Sequence, residues 1–390
     1  MNLEPTDEQQ AIVGVLRELA DDLIRPAARA CEEAGRASDD IERGLHEMGV
    51  AAPVPEDFGG QGTFDARTSV MIAEEIARGD PGVAFSVLGG GLVATLIDLV
   101  GTPAQRKELL PSLAQGGQGA FLLAERDAGA DFTRIESRAF RQGSDGEGRV
   151  LEGTKYGVVG ADGRGPRIAV ARTDGTLGLW LVPSSADLVA QPEDKLGLRS
   201  ARTFKVMLDG TPAGELLGGP AADAAGQRRA TLALLRAKLL SAGVALGLAR
   251  AALEYATAYA KERTAFGKPI GAFQAIAFRI ADRAMDLDAA RLLTWKAAWA
   301  VDQERDDAGR AVFSACTQAV SAAVATADDS VQVLGGHGYM RDHPVELWYR
   351  DALTLATFDS PSMIGDLFLA RAFEAQLPQG RAHRERTIPL

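Results

Sequence analysis

The spacing of apolar residues along the chain changes twice. From Thr6 to about Gly117 the period is helical: Ile12, Leu16, Leu19, Leu23 and Ile24 fall on one stripe, and Thr6 with Gln9 three residues on is the pattern of a capping box. Pro26 punctuates that stripe. A turn-rich stretch, APVPEDFGGQG (52–62), precedes a second helix with a charged edge at Glu74 and Glu75, and GTPAQRKELLPSLAQGG (101–117) is a short helix bracketed by proline and glycine. From about Ala120 to Gly219 the period falls to two. Residues 167–172, 177–182 and 203–208 are short aliphatic or β-branched runs separated by Gly, Asp and Pro, which predicts a small antiparallel β domain. From about Gln227 the helical period returns in three long segments, about 230–263, 273–304 and 308–334. In the second of these Phe273, Ile276, Ile280, Leu287 and Trp295 recur at helical intervals with Arg, Asp and Lys on the other face, and the lengths suit a four-helix bundle.

The predicted class is therefore α+β, mostly α: an N-terminal helical domain (1–118), a middle antiparallel β domain (119–220) and a C-terminal four-helix bundle (221–390). No internal repeat or low-complexity tract is evident. The length of 390 residues agrees with two or three domains at roughly 150 residues each.

Composition narrows the function. A chain that is 46% hydrophobic and 24% charged is an ordinary globular one. With 42 Lys and Arg against 53 Asp and Glu and no basic run, neither nucleic acid nor an anionic membrane surface is expected as the main partner. The start, MNLEPTDEQQ, resembles neither a secretory signal nor a basic transit peptide, and the sequence shows no run of about 18 uncharged apolar residues, so a cytoplasmic protein without a membrane span is expected. Two distant cysteines, Cys31 and Cys316, fit a reducing compartment. Together with His46, His337, His343 and His383 they have no metal-ligand spacing, so no metal site is expected. The four tryptophans are Trp180, Trp295, Trp299 and Trp348.

Two segments carry the candidate chemistry. In ERTAFGKPIGAFQAIAFRIADR (262–283), Gly267 and Pro269 break one helix and Phe273-Gln274 opens the next; taken alone this is a tight helix–helix turn bearing a surface Arg263. In VQVLGGHGYMRDHPVELWYRDA (331–352) a helix ends in Gly335-Gly336-x-Gly338. No strand precedes it and no acidic residue follows at the right distance, which excludes a Rossmann fingerprint. A helix C-cap and a close-approach site for a phosphate both fit.

Together the two segments resemble the acyl-CoA dehydrogenase family, which carries R-x-x-F-G-x-P and, about 65 residues later, Q-x-x-G-G-x-G-Y followed by P-V-x-x-x-x-R-D. Here these are Arg263, Phe266, Gly267 and Pro269; Gln332, Gly335, Gly336, Gly338 and Tyr339; and Pro344, Val345, Arg350 and Asp351. PEDFGG (55–60), Glu74-Glu75 and GTPAQRKELLP (101–111) add matches, so the resemblance spans essentially the whole chain. It implies an FAD enzyme, typically a homotetramer, in which a carboxylate takes the α-proton of an acyl thioester while the β-hydrogen leaves as hydride to flavin N5. It implies further that Arg263, Phe266, Gln332 and the Gly335-Gly336 backbone clamp the ADP and pyrophosphate half of FAD bound mainly by a neighbouring subunit, with Gln274 near the same half. A guanidinium pairs with phosphate as a fork, and glycine lets backbone approach it.

Departures from the family concentrate around the flavin ring. Its T-E-P-x-A-G-S-D segment stands here as residues 124–131, AERDAGAD, so the Thr and Ser have become Ala124 and Ala130. The backbone at Leu123 and Ala124 is expected on the flavin, and Ala130 on the thioester side. K-x-W-I-[ST]-N stands as residues 155–160, KYGVVG; Gly157 replaces the Trp that covers one flavin face, and Val158 and Val159 keep only backbone contacts. The base offset after R-D falls on Asp359, one methylene shorter than the usual Glu, with Ser360 beside it. Asp359 as base and Asp359-Ser360-Pro361 as a plain helix N-cap are both open. An alternative base on the first bundle helix is absent, because that position is Ala237, next to Lys238, which is expected on the substrate side.

Three functions follow from the resemblance. The first is an FAD-dependent dehydrogenase acting on an acyl-CoA or acyl-carrier thioester, passing electrons to an acceptor of the electron-transfer flavoprotein type. The second is a partner subunit in a heterotetramer with another dehydrogenase chain. The third, ranked lowest, is a flavin oxidase or monooxygenase on the same scaffold.

Overall fold

The computed structural model describes residues 3–126, 134–142, 148–219 and 224–358. Helix α1 (Asp7–Leu19) begins at the expected capping box, with Thr6 and Gln9 exchanging side-chain and backbone hydrogen bonds at 3.1 and 3.2 Å. The stripe does not stop at Pro26. A π-helical turn, Ala20–Ile24, carries the chain without a break into α2 (Arg25–Ala34), and this local change of hydrogen-bond spacing comes directly before Pro26, which has no N–H to give to the preceding turn. Helices α3 (Asp39–Glu47), α4 (Ala66–Gly79), α5 (Pro81–Val100) and α6 (Pro103–Ala114) complete the N-terminal part.

Glu74 and Glu75 do not form an exposed edge. Both are buried, Glu75 pairing with Arg17 at 3.0 Å and Arg250 at 2.7 Å, and Glu74 with Arg291 at 2.9 Å. Helix α4 packs on the C-terminal bundle, so the carboxylates belong to an interface, where guanidinium partners make burial tolerable.

Among the described residues seven strands follow: β1 (Ala120–Leu122), β2 (Arg138–Gln142), β3 (Gly148–Val159), β4 (Arg167–Thr173), β5 (Thr176–Val182), β6 (Val189–Pro192) and β7 (Thr203–Ala213). They form one sheet in the order β1-β4-β2-β3-β7-β6, with β5 on β4. The expected all-antiparallel sheet is corrected to a mixed one, because β1 and β2 run parallel to β4. Neither is joined to β4 by a hairpin, so hairpin geometry does not dictate its direction. Alternation along β4 sends Ile168 and Val170 to a core shared with α5 and α6, and Ala169 and Ala171 to the opposite core with Leu122 and Val206.

The remaining helices are α7 (Ala224–Glu262), α8 (Gln274–Asp302), α9 (Ala308–Leu334) and α10 (Val345–Phe358), packed on one another and, through α7, on α4 and α5. Trp348, 1% exposed, lies in this core. Gly243 and Gly247 let α7 approach α4 closely: a Cβ on Gly247 would stand 2.2 Å from the Glu74 carbonyl oxygen. Residues 81–100 and 228–262 are each apolar and long enough to cross a membrane, which the expectation of no such run missed. The most apolar 18 residues of each are 72% and 83% buried in the protein, and a helix enclosed by its own core reads like a membrane span.

A buried junction fixes the sheet against both helical parts. Asp80, the N-cap of α5, accepts from Val83 N–H at 2.8 Å and from the Ser200 hydroxyl at 2.6 Å. Asp351 of α10 accepts from Leu198 N–H at 2.5 Å, and Gly197 N–H donates to Thr354 at 2.8 Å. Burial raises both carboxyls, and Asp80 pushes Asp351 up further.

Candidate active site

Where α5, α7 and the sheet meet, a cleft encloses about 740 Å³ of empty space, including its open mouth. One wall is α5, with Phe85, Leu88 and Leu92; the facing wall is α7, with Ala237, Leu240 and Val244; the sheet supplies Phe121, Leu123, Ala124, Tyr156, Gly157 and Val159; and Phe358 closes one side. Among the described residues no Asp, Glu, Lys, Arg or His lines it; its polar side chains are Tyr156 and Ser241. Such a cleft suits an uncharged, mostly apolar group oriented by a few polar contacts.

Two glycines shape it from α5. Gly89 lines the cleft, and a Cβ there would touch Val159 at 3.4 Å. Gly91 faces away, where a Cβ would meet the Ala51 carbonyl oxygen at 2.3 Å. Helix-interior glycine costs about 1 kcal/mol relative to alanine, so the close approach and the open cleft explain a run that propensity disfavours.

At the sheet end, Gly157 has φ +65°, and a Cβ there would lie 2.6 Å from Phe358 Cε1. The Phe358 ring stands over the glycine and against Phe85, with ring centroids 6.1 Å apart. An aromatic ring brought in by α10 thus stands over a position that has no side chain of its own. Gly157 N–H donates to the Glu193 carboxylate at 3.2 and 3.3 Å.

Beneath the cleft floor Lys155 is 0% exposed. Its ammonium donates to the Val170 carbonyl at 2.6 Å, the Glu125 carboxylate at 2.7 Å and the Leu123 carbonyl at 3.2 Å. Burial pushes its pKa down to about 8 against the pull of Glu125. Burial acts to raise Glu125, yet Lys155 and the Glu136 N–H, 2.7 Å from its carboxylate, hold it below the usual range.

The residues singled out in the sequence fall into two groups. Leu123, Ala124 and Val159 line the cleft, and Val158 is buried beside them. Ala237 lines it as well, so a carboxylate at that position would face the cleft and here does not exist. Lys238 is buried and is not among the lining residues. Ala130, Asp359 and Ser360 lie outside the described residues; Asp359 follows Phe358 directly in sequence.

The second group sits at the far end of the bundle. Strands β8 (Thr264–Ala265) and β9 (Lys268–Pro269) form a hairpin whose tip, Phe266-Gly267, has φ +52° and +81°. Positive φ at both positions is the two-residue turn that a hairpin favours. It leaves Phe266 96% exposed, edge-on to Phe273. Gly335 ends α9 at φ +59°, ψ −132°, a conformation open essentially to glycine alone. The Tyr259 hydroxyl and His337 Nδ1 lie 2.7 Å apart, bringing the glycine turn to the α7 terminus. Arg263, Phe266, Gln274, Gln332, Gly335 and Gly336 are all exposed there. Ser241 in the cleft lies 22 residues from Arg263, roughly 30 Å along the helix axis.

Sequence reasoning missed Phe85, Leu88, Leu92, Leu240 and Val244, because a buried helix carries no amphipathic signal; the mid-helix glycines were the one mark available.

The acyl-CoA dehydrogenase N-terminal domain model matches residues 6–117, and the C-terminal domain model residues 224–372. The probable acyl-CoA dehydrogenase YngJ of Bacillus subtilis is 32% identical over 95% of this chain and 99% of its own length. The short-chain specific acyl-CoA dehydrogenase of Bos taurus mitochondria is 31% identical, covering 95% of this chain and 90% of its own. Butyryl-CoA dehydrogenase from Megasphaera elsdenii superposes with a TM-score of 0.85 at 27% identity, over 96% of this chain and all of that one.

Proposed function

Because the chain belongs to the acyl-CoA dehydrogenase family, we propose that it is an FAD-dependent enzyme oxidising an uncharged acyl thioester, on CoA or on a carrier protein, to the α,β-unsaturated product. The observation that carries this reading is the cleft: apolar walls from α5 and α7 meeting the edge of the sheet, with no charged side chain among its described lining residues. Burying an unpaired carboxylate there would cost several kcal/mol, which argues for a neutral acyl group.

The residues present fit a flavin. Ala124 has a main-chain N–H for which no acceptor is found among the described residues, while its carbonyl accepts from Tyr156 N–H at 3.0 Å. FAD bound here would accept the hydride that leaves the β-carbon. The chain's own part is to exclude water with Phe85, Leu88 and Leu92, to orient the thioester, and to take the α-proton. In this proposal Asp359, which follows Phe358 directly in sequence, takes it, since a positioned carboxylate serves as a general base.

In this reading the exposed bundle-end residues supply the ADP side of a cofactor held by another subunit, which their separation of roughly 30 Å along α7 from the cleft supports. An assembly is supported by α8, where Phe278, Met285 and Leu292 are exposed at seven-residue intervals on one face. A tetramer in the cytoplasm, reoxidised by a flavoprotein electron acceptor, is part of this reading.

Purified protein should be yellow, and an acyl-CoA added without oxygen should bleach the flavin band. Asp359→Ala should keep the colour and abolish bleaching. A colourless preparation that FAD cannot reconstitute would overturn the reading. A second reading, a subunit that completes a neighbour's FAD site, is favoured by the exposure of Arg263, Phe266 and Gln332 at the bundle end. It requires that the isolated chain not bleach and that Arg263→Ala abolish FAD binding by a co-expressed partner.

A further inference from the structure

Lys155 is a buried group for which the reaction described above has no use. An ammonium with no exposure is costly, and the protein compensates with three acceptors drawn from three places: the Val170 carbonyl on β4, the Leu123 carbonyl just after β1, and the Glu125 carboxylate two residues further on. Two of the three flank a single residue, Ala124. The peptide between Leu123 and Ala124 is trans, so its carbonyl and its N–H point in opposite directions. With the carbonyl held by Lys155 beneath the floor, the N–H is turned the other way, to the cleft that both residues line. The next carbonyl, that of Ala124, is held by Tyr156 N–H at 3.0 Å, so this peptide too is fixed from the β3 side.

We propose that Lys155 is a positioning residue for the flavin: by fixing the Leu123 carbonyl and Glu125 it presents the Ala124 N–H as a preorganised donor to the bound ring. The inference rests on the functional reading given above. Its physical content is that a donor fixed before the ligand arrives costs no reorganisation and acts at full strength in an apolar site. The ammonium also polarises the peptide that it holds, strengthening the N–H on the opposite side. In this chain the arrangement carries more weight than a side-chain hydroxyl would leave to it, because residue 124 is alanine and the main chain is the donor that remains.

The test measures FAD binding to the full-length protein, by absorbance and fluorescence titration of deflavinated material, and the midpoint potential of the bound flavin. Lys155→Met preserves length and removes all three donors. Far-UV circular dichroism and a cooperative melt establish that the variant is folded. The expected result is at least a tenfold loss of FAD affinity and a lower midpoint potential, with Lys107→Met, which removes an exposed cation on α6 outside this network, unchanged in both. A folded Lys155→Met protein with wild-type affinity and potential would overturn the inference. If that variant does not fold, Glu125→Gln decides, since it keeps the lysine and removes its counter-charge. The bound flavin should then have a higher potential, and an unchanged potential overturns the proposal. A wild-type protein that takes up no FAD would overturn the functional reading and this inference with it. Wild-type binding matched by an equally good Lys155→Met protein overturns this inference alone.

Discussion

Alanine at position 157 tests whether the Phe358 ring has replaced a side chain that the sheet no longer carries. Gly157→Ala faces two separate costs. The backbone has φ +65°, where a non-glycine residue loses about 1–2 kcal/mol. The new Cβ would also stand 2.6 and 2.7 Å from two carbons of the Phe358 ring. That is about 1 Å inside an ordinary carbon–carbon contact, so the ring must leave its place against Phe85. Overpacking of this kind costs about 1–3 kcal/mol, and the substitution should destabilise the protein by about 2–5 kcal/mol in all.

The two costs separate in a double-mutant cycle. Phe358 is half-buried, so Phe358→Ala should cost about 1–3 kcal/mol, below the range for a fully buried phenylalanine. In Gly157→Ala/Phe358→Ala the backbone cost persists and the overlap is gone, so the double variant should be more stable than the sum of the single ones by about 1–3 kcal/mol. Urea unfolding of the four proteins, with m-values held in common, measures this directly. Additivity to within about 0.5 kcal/mol would show that the ring does not depend on the missing Cβ, and the reasoning about the cleft wall would fail.

Gly247→Ala should destabilise by about 1–3 kcal/mol, because its Cβ would lie 2.2 Å from the Glu74 carbonyl oxygen on the packed α4 backbone, and thermal melts should show it; an unchanged melting temperature would refute the close-packing account. Burial, reinforced by Asp80, raises the Asp351 carboxyl, so the folded state keeps its proton longer than the unfolded chain does. That contribution is fully present below about pH 4 and is lost as pH rises through the raised value. Asp351→Asn mimics the protonated form, still accepts from Leu198 N–H and ends the repulsion with Asp80, so between about pH 5 and about pH 8 its urea midpoint should fall less than that of the wild type; parallel pH dependences would refute the assignment.

Much of the fold was legible because its elements differ in period. Three β runs were located within a few residues of β4, β5 and the first half of β7, and a long helical run coincides with α9, since alternation and helical spacing survive without tertiary context. The misreadings share a cause. Glu74 and Glu75 look solvent-facing until α7 and α8 bring arginines to them, and residues 81–100 look like neither an amphipathic helix nor a span until the surrounding core is seen. Strand direction at β1 and β2 depends on partners far along the chain, and no local pattern encodes it. The cleft was legible only in part for the same reason: Leu123, Ala124 and Val159 could be marked by motif, whereas the α5 and α7 walls became its lining only by packing.

The positions that depart from the family bear on whether this chain has lost function or rebuilt a site. Loss without replacement leaves cavities and unsupported backbone, because nothing maintains packing around an unused pocket. Gly157 shows the opposite. The Phe358 ring, brought in by α10, stands where only a residue without a Cβ allows it. At Ala124 the hydroxyl is gone, while the buried lysine that holds the adjoining peptide remains with all three of its acceptors. Compensation at one position and retained support at another are mutually consistent choices, and such consistency marks a sequence that specifies its structure. It weighs for a flavin held chiefly by main-chain donors and apolar walls, and against a pocket left to decay beside an intact bundle end.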